Sequence, residues 1–405
     1  YYLGSGDETY KQLALDFAEA LADPEQNSFM QTGYAQERYG PDAGYQGLFA
    51  CNLAFYYRLS QDPHALVVLK QVYSLFNHTV APESDGEVFG STQFSHRTQA
   101  SWVDRQWGGG LALMAGILPE ANCWIMPVSD AETKEELLAN FNWAVRVAEP
   151  GQWYKRNSRW ATGYAMSPWM PMWYGYMLPA RSKSHHPLPA ESKQPFVRRF
   201  GDEFLAVKQG AYFANVYVGK TSGNWVRRLQ KSDPIKDNWA LENGTLSPKN
   251  GAAAKDLWMP SQGLGQFWKE GTGTIILAKN WNAYTGYFVR ADLTDGKVAW
   301  ADYWTAVQNW QESSQTQTLT NQLFDTDMEC QRQLVFGESG IRVNLNLQSA
   351  SGLPVKRLIE QIPLLKKDGM SIRFQRNGIW MEQSGEACTS VAFDYQGHTC
   401  YLEFE

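Results

Sequence analysis

The 405-residue chain has no long hydrophobic run. Its longest, Leu111 to Leu118, is interrupted by Gly116 and is far shorter than the roughly 20 apolar residues of a membrane-spanning helix, so no membrane span is expected. A basic excess is also missing. The 36 Lys+Arg face 42 Asp+Glu, for a formal charge of −6, which disfavours a nucleic-acid partner. Cysteine is scarce: Cys51, Cys123, Cys330, Cys388 and Cys400 are all there are, and none forms the Cys-x-x-Cys pair of a zinc ribbon. Gln396-Gly397 reads as a two-residue hairpin turn. That register sets Cys400 opposite Phe393 rather than Cys388, so free buried thiols are expected. No fixed-length repeat, P-loop, dinucleotide fingerprint, His-Glu-x-x-His or Gly-x-Ser-x-Gly segment is present. Nucleotide hydrolysis, the common zinc proteases and the α/β-hydrolases are thereby removed as leading readings. The chain opens at Tyr1 with no basic leader-like segment, and a further N-terminal part is expected to precede it.

Aromatic residues, in contrast, are abundant: 17 Trp and 20 Tyr. Such rings fill cores, and on loops they stack on the apolar C–H faces of sugars. With 43% hydrophobic and 19% charged residues, the chain is too apolar for disorder and long enough to bury a core without disulfides or structural metal.

The hydrophobic period divides the chain into three. Residues 1–150 read as helical. Tyr10, Leu13, Phe17 and Leu21 recur at helical spacing after the capping candidate Asp7, Gly47 to Leu59 is apolar on most sides, and Leu66, Leu69, Tyr73 and Phe76 form a stripe opened by Pro63. Leu137, Leu138, Phe141 and Ala144 form a weaker one. Long polar connections at 22–45 and 79–110 separate these stripes and are expected to be functional. Residues 151–195 form an aromatic-rich connection. From 196 to 405 the period is two: Phe204, Ala206 and Lys208 alternate, and Ile341, Val343, Leu345 and Leu347 alternate with Arg342, Asn344, Asn346 and Gln348. A large antiparallel β-sandwich of about a dozen strands is expected there, making the whole an α+β, multidomain protein.

Two loops concentrate reactive side chains. The first, Thr32 to Gly47, enters a helix with Asp42 as candidate cap and Tyr45 in the first turn, where the helix dipole favours negative charge. The second carries Glu83-Ser84-Asp85-Gly86 and then Phe94-Ser95-His96-Arg97-Thr98, an imidazole beside a permanent cation.

This layout resembles the polysaccharide lyases that join an (α/α) toroid of helical hairpins to an antiparallel β-sandwich, the hyaluronate, chondroitin, xanthan and alginate lyase and heparinase group. In the hyaluronate/chondroitin branch an Asp-Gly-x-aromatic-x-x-His loop leads to Tyr-x-Gly-x-Tyr-Gly, whose later Tyr is the catalytic acid/base. Gly33-Tyr34-Ala35-Gln36-Glu37 is similar to the first piece and Ala43-Gly44-Tyr45-Gln46-Gly47 to the second, which puts Tyr45 on the catalytic position. Arg97 falls at the place of the branch's Arg-rich loop. Pro260-Ser261-Gln262-Gly263-Leu264-Gly265-Gln266-Phe267-Trp268 is similar to its Gly-Asp-Gly-Met-aromatic segment. The family histidine falls near Glu37 or Arg38, where no His stands, and His96 is the candidate to take its role. The family's uronate-neutralising Asn belongs to an earlier helix, which would precede Tyr1. The resemblance implies that residues 1–150 are the C-terminal part of a partial toroid, and that the protein is a secreted or periplasmic lyase acting on an acidic polysaccharide.

The implied reaction suits these residues. β-Elimination removes the C5 proton of a uronate and expels the 4-O-linked sugar. Arg97 can neutralise the carboxylate with a two-pronged hydrogen bond. A tyrosine, with a reference pKa of about 10, becomes a workable base beside a cation and a helix N-terminus. Tyr45, His96 and Arg97 are the catalytic candidates. Glu37, Arg38, Gln46, Trp102, Arg105 and Trp160 are the candidates for substrate contact, and Lys155, Arg156 and Arg159 for a basic cleft wall. Each also has a structural reading: Tyr45 as an ordinary helix-start residue, Arg97 as a loop anchor, Glu37 and Asp42 as a capping or ion pair, His185-His186 as solvated. No cofactor is identified. No clustered ligand set appears, and a structural divalent metal stays open, as does the oligomeric state. Two other readings compete. A glycoside hydrolase would use two of Glu37, Asp42 and Asp85, placed about 5.5 Å apart for retention or about 6.5–9.5 Å for inversion. A non-catalytic carbohydrate-binding protein would use the sandwich and its Trp residues.

Overall fold

The computed structural model describes residues 2–26, 32–35, 41–84, 88–91, 94, 111–114, 117–122, 186–219, 239–242, 245–248, 263–278, 288–296, 298–323, 326–382 and 390–404. They form a mixed α+β protein with few helices and many antiparallel strands. Two compact units are present. The first comprises Tyr1–Ala35, Gly44–Asn77 and Asp104–Leu188, and the second Gln36–Ala43, His78–Val103 and Pro189–Glu405. Residues 78–103, N-terminal to the expected boundary at 150, thus group with the strands. The stripe at 137–144 and most of the 151–195 connection lie outside the described residues.

The helices are α1 (Tyr2–Ser5), α2 (Glu8–Ala22), α3 (Ala43–Ser60), α4 (Pro63–His78), α5 (Leu111–Met114) and α6 (Pro119–Asn122). Asp7 caps α2, accepting the Thr9 N–H at 2.9 Å. The apolar stripe of this helix faces outward, with Leu13 63% and Phe17 61% exposed. Two residues, Gln61 and Asp62, join α3 to α4, a connection length typical of helical hairpins. Pro63 takes the first position of α4, where its missing N–H costs nothing, and Asp62 accepts the His64 N–H at 2.9 Å. The apolar face of α4 is buried through Ala65, Val68, Leu69, Val72, Tyr73, Leu75 and Phe76. Burying each of the larger of these contributes about 1.5–3 kcal/mol, which is the main stabilisation of this helix.

The first strands of the second unit form a short hairpin, β1 (Val80–Pro82) and β2 (Val88–Gly90). Both strands fall within the long connection expected at 79–110. A five-stranded sheet follows from β3 (Phe196–Phe200), β4 (Phe204–Gln209), β5 (Tyr212–Tyr217), β8 (Gly263–Lys269) and β9 (Gly273–Leu277); β6 (Trp239–Glu242) and β7 (Thr245–Pro248) pair separately. The strands β10 (Phe288–Leu293), β11 (Val298–Gln311), β12 (Thr316–Leu323), β13 (Met328–Phe336), β14 (Ile341–Ser349) and β15 (Val355–Gln361) make a six-stranded sheet in the order 14-13-12-11-10-15. Finally β16 (Ser371–Arg376), β17 (Ile379–Met381), β18 (Ser390–Tyr395) and β19 (His398–Glu403) make a four-stranded sheet in the order 17-16-18-19. The named strand pairings are all antiparallel.

These three sheets share one core. Leu205, Val207, Ala214 and Val216 of the five-stranded sheet meet Leu319, Leu334 and Phe336 of the six-stranded one and Val391, Phe393 and Cys400 of the four-stranded one. Strand β14 alternates half-buried apolar and exposed polar residues from Ile341 to Gln348, as the period of two requires. The Gln396-Gly397 turn has φ of 49° and 81°, the two left-handed positions of the hairpin type that follows strand twist, and it sets Cys400 opposite Phe393. Cys51, Cys330 and Cys400 are buried free thiols, and Cys123 and Cys388 lie outside the described residues.

Strand β4 differs from a half-wet strand. Phe204 to Lys208 are all buried, with Lys208 only 2% exposed. The cause is a second covering on the far face of the five-stranded sheet. Ala206, Phe213 and Trp268 pack there with Ala81 of β1 and Ala190 of the 3₁₀ turn Pro189–Glu191.

Candidate functional site

Tyr45 is the third residue of α3 and its side chain is half-buried. Asp42, directly before the helix, is 1% exposed, and so is Gln46. The sequence expectation gave Gln46 a substrate contact. In the structure its amide is engaged by backbone: Oε1 accepts the Ala35 N–H at 2.7 Å, and Nε2 donates to the Gly33 carbonyl at 3.5 Å. Gln46 therefore splints the Gly33-Tyr34-Ala35 turn to the first turn of α3. Gly33 is required in that turn. Its φ is +79°, and a Cβ would stand 3.0 Å from both the Gln71 carbonyl oxygen and the Leu75 Cβ. The two pieces of the first loop are thus held together, with Tyr45 beside the splint. Glu37, Arg38, Asp85, His96, Arg97, Trp102, Arg105 and Trp160 lie outside the described residues, as do Lys155, Arg156, Arg159 and His185.

The second loop is anchored at its start by contacts that local sequence does not announce. Trp268 Nε1 donates to the Pro82 carbonyl at 2.6 Å, and Gln266 Nε2 donates to the Phe89 carbonyl at 2.9 Å. Ser91 donates to the Ala278 carbonyl at 2.8 Å. Gln266 is fully buried and its remaining capacity is used: Nε2 also donates to Thr274 Oγ1 at 2.9 Å, and Oε1 accepts from Asn215 Nδ2 at 3.0 Å. Phe94 packs at 5.1 Å from Phe204 and 5.9 Å from Tyr217. Two of the segments singled out in sequence, the one beginning at Glu83 and the one ending at Trp268, are therefore neighbours. β8 holds this stretch of chain at Pro82 and Phe89, and β4 and β5 hold it at Phe94.

Between these contacts sits a buried ion pair. The Glu83 carboxylate pairs with Lys367 Nζ and accepts the Thr274 N–H at 2.8 Å. Lys367 also donates to the Thr272 carbonyl at 2.8 Å, and its ammonium lies 5.0 Å from the centre of the Tyr395 ring. The two side chains are 4% and 10% exposed, so each charge depends on the other. In the sequence Glu83 is only part of a loop, because a partner 284 positions away leaves no local signal.

A third cluster lies at the α3–α4 connection. Asp62 accepts from the Tyr56 hydroxyl at 2.7 Å and contacts His64 Nδ1 at 3.1 Å. Burial, with the Asp62 carboxylate adding to it, pushes the Tyr56 phenol up to about 12. Capping α4 accounts for this arrangement. On the five-stranded sheet, burial lowers the Lys208 ammonium below its ordinary range; it donates to the Gly210 carbonyl at 2.7 Å. Among the described residues no group of three or more His, Cys, Asp or Glu could hold a metal ion, and no helix is long and apolar enough to cross a membrane. Compared with protein-family models, curated proteins and solved structures, the chain matches none.

Proposed function

We propose that the protein is a polysaccharide lyase that cleaves a uronate-containing polymer by β-elimination. Its helices would be part of an (α/α) toroid and its sheets the partner β-sandwich, in a secreted or periplasmic enzyme. The observation that supports this reading most is the setting of Tyr45. It is a partly exposed tyrosine in the first turn of an 18-residue helix, next to buried Gln46, in a segment splinted to the preceding turn. The α3–α4 pair, joined by two residues, is the kind of unit from which a toroid is built.

In this mechanism the oxygen of Tyr45 takes the C5 proton while the C5–H electron pair forms the C4–C5 double bond. The C4–O bond breaks, and the departing sugar oxygen receives a proton from Tyr45 or His96. Arg97 bonds the carboxylate and holds the charge that develops on it, a task of several kcal/mol. No oxidant and no water is consumed. The test is ultraviolet absorbance of the unsaturated product during incubation with alginate, hyaluronan, chondroitin and xanthan. Wild type should generate the chromophore on at least one polymer, and Tyr45→Phe should reduce the rate by a factor of about 10² or more with an unchanged melting temperature. Full activity in Tyr45→Phe would remove Tyr45 from the chemistry.

A further inference from the structure

The four-stranded sheet turns its inner face to the shared core through Ile372, Phe374, Val391, Phe393, Cys400 and Leu402. Alternation places Arg373, Ala392 and Tyr401 in one row across its other face, through the registers Arg373↔Ala392 and Ala392↔Tyr401. The next row is Ser371, Asp394 and Thr399. Trp380, opposite Gln375 on the edge strand, shares this face. The small side chain of Ala392 lets rings from the two edges meet over the middle of the sheet. The Trp380 and Tyr401 ring centres are 6.1 Å apart at 49°, and Tyr401 is 53% exposed. Tyr212 and Tyr217, in the five-stranded sheet, are 2% and 1% exposed.

The polar groups beside the rings are fixed in place. Arg373 grips Asp394 with two hydrogen bonds of 2.6 and 3.0 Å, and its guanidinium lies 5.2 Å from the centre of the Trp380 ring. Asp394 also accepts from Thr399 Oγ1 at 2.7 Å. The Arg373 hydrogen bonds hold the Asp394 carboxyl below the usual carboxylate range. Arg373 and Asp394 neutralise each other, and the register Gln375↔Ser390↔Glu403 adds an exposed carboxylate in the row of Trp380, so among the described residues the face offers an anionic polymer no uncommitted cation. A carboxylate and no uncommitted cation disfavour an acidic polymer, and the rings beside a hydroxyl-bearing row fit an uncharged sugar chain: the rings meet the apolar C–H faces of a pyranose, and the adjoining row meets its hydroxyls.

We propose that the outer face of β16–β19, centred on Trp380, Tyr401 and the Arg373–Asp394 pair, is a binding platform for a neutral hexopyranose polysaccharide. It is distinct from the Tyr45 region and does not depend on the lyase reading, because it requires binding without turnover. The test is native affinity electrophoresis of the full chain in gels containing galactomannan, glucomannan or mixed-linkage β-glucan, with alginate and hyaluronan gels in parallel. At least one neutral polymer should retard the wild type. Tyr401→Ala and Trp380→Ala should each weaken binding about tenfold or more, while Tyr401→Phe, which keeps the ring, retains it. Circular dichroism melting of each variant identifies any loss that comes from unfolding, and the conservative variant carries the decision if an alanine variant is unstable. The proposal is overturned if no neutral polymer retards the protein, if only the uronate polymers do, or if Tyr401→Ala migrates like wild type. It is also overturned if sedimentation shows that the face instead pairs two copies of the chain.

Discussion

Removing the Glu83 charge probes the anchoring of the second loop most sharply. In Glu83→Gln the new amide oxygen can still accept the Thr274 N–H, so that hydrogen bond is kept. What is lost is the countercharge to Lys367, whose side chain is only 10% exposed. Stranding one member of a buried pair costs about 3–5 kcal/mol. Lys367 keeps the Thr272 carbonyl and the Tyr395 ring, which places the expected loss near the lower end, about 3 kcal/mol. Lys367→Met should cost a similar amount by stranding the carboxylate. The double variant should cost clearly less than the sum, because neither charge is then left alone. The assay is urea denaturation of all four proteins, followed by tryptophan fluorescence, with hydrogen exchange read over residues 80–94. The hairpin amides should exchange faster in each single variant and recover in part in the double. Additive losses, or a single-variant loss below about 1 kcal/mol, the range of exposed pairs, would refute the reasoning.

Other consequences are simpler to check. Gly273 has φ of +77°, and a Cβ there would collide with Glu83 Oε2 and Lys367 Nζ. Gly273→Ala should therefore destabilise by about 2–4 kcal/mol, strain adding to overpacking, measured by the same denaturation. Tyr56 holds its proton up to about pH 12 in the folded protein, against about 10 when unfolded. Its contribution is full below the unfolded value and is lost as pH rises through the folded one. Tyr56→Phe should accordingly flatten the fall of stability between those pH values in alkaline titrations. Burial raises Cys330 to about 11 and raises Cys400 as well. A thiol-directed reagent at neutral pH should therefore label both slowly in native protein and fully in denaturant, as judged by peptide mass; rapid native labelling would contradict their burial.

The features legible in sequence are those decided within a few residues. Asp7 and Pro63 announced two helix starts through capping chemistry, and Gln396-Gly397 announced a hairpin whose register is the observed one. β14 alternates over nine residues and reads directly as a strand with one wet face. The β1–β2 hairpin escaped because three-residue strands ending in Pro82 and Gly90 carry no period. Lys208 was placed on an alternating strand but not in the interior, since what buries it is the covering of both faces of its sheet. The setting of Tyr45 and Gln46 was half legible. The helix start could be read from the chain, whereas the use of Gln46 as a splint needs Gly33 and Ala35 folded back onto it. The Arg373–Asp394 grip and the rings beside it depend on strand order 17-16-18-19, which no local pattern specifies.

Product mass in heavy-oxygen water tests the central claim most directly. Elimination consumes no water, so the products of a uronate polymer should carry no label beyond what free reducing sugars take up by exchange in the same water, and should include fragments lighter by one water than the corresponding hydrolysis products. Label at the new reducing ends beyond that solvent exchange, with no fragment lighter by one water, would mean hydrolysis and contradict the assignment of Tyr45 as the base of a lyase.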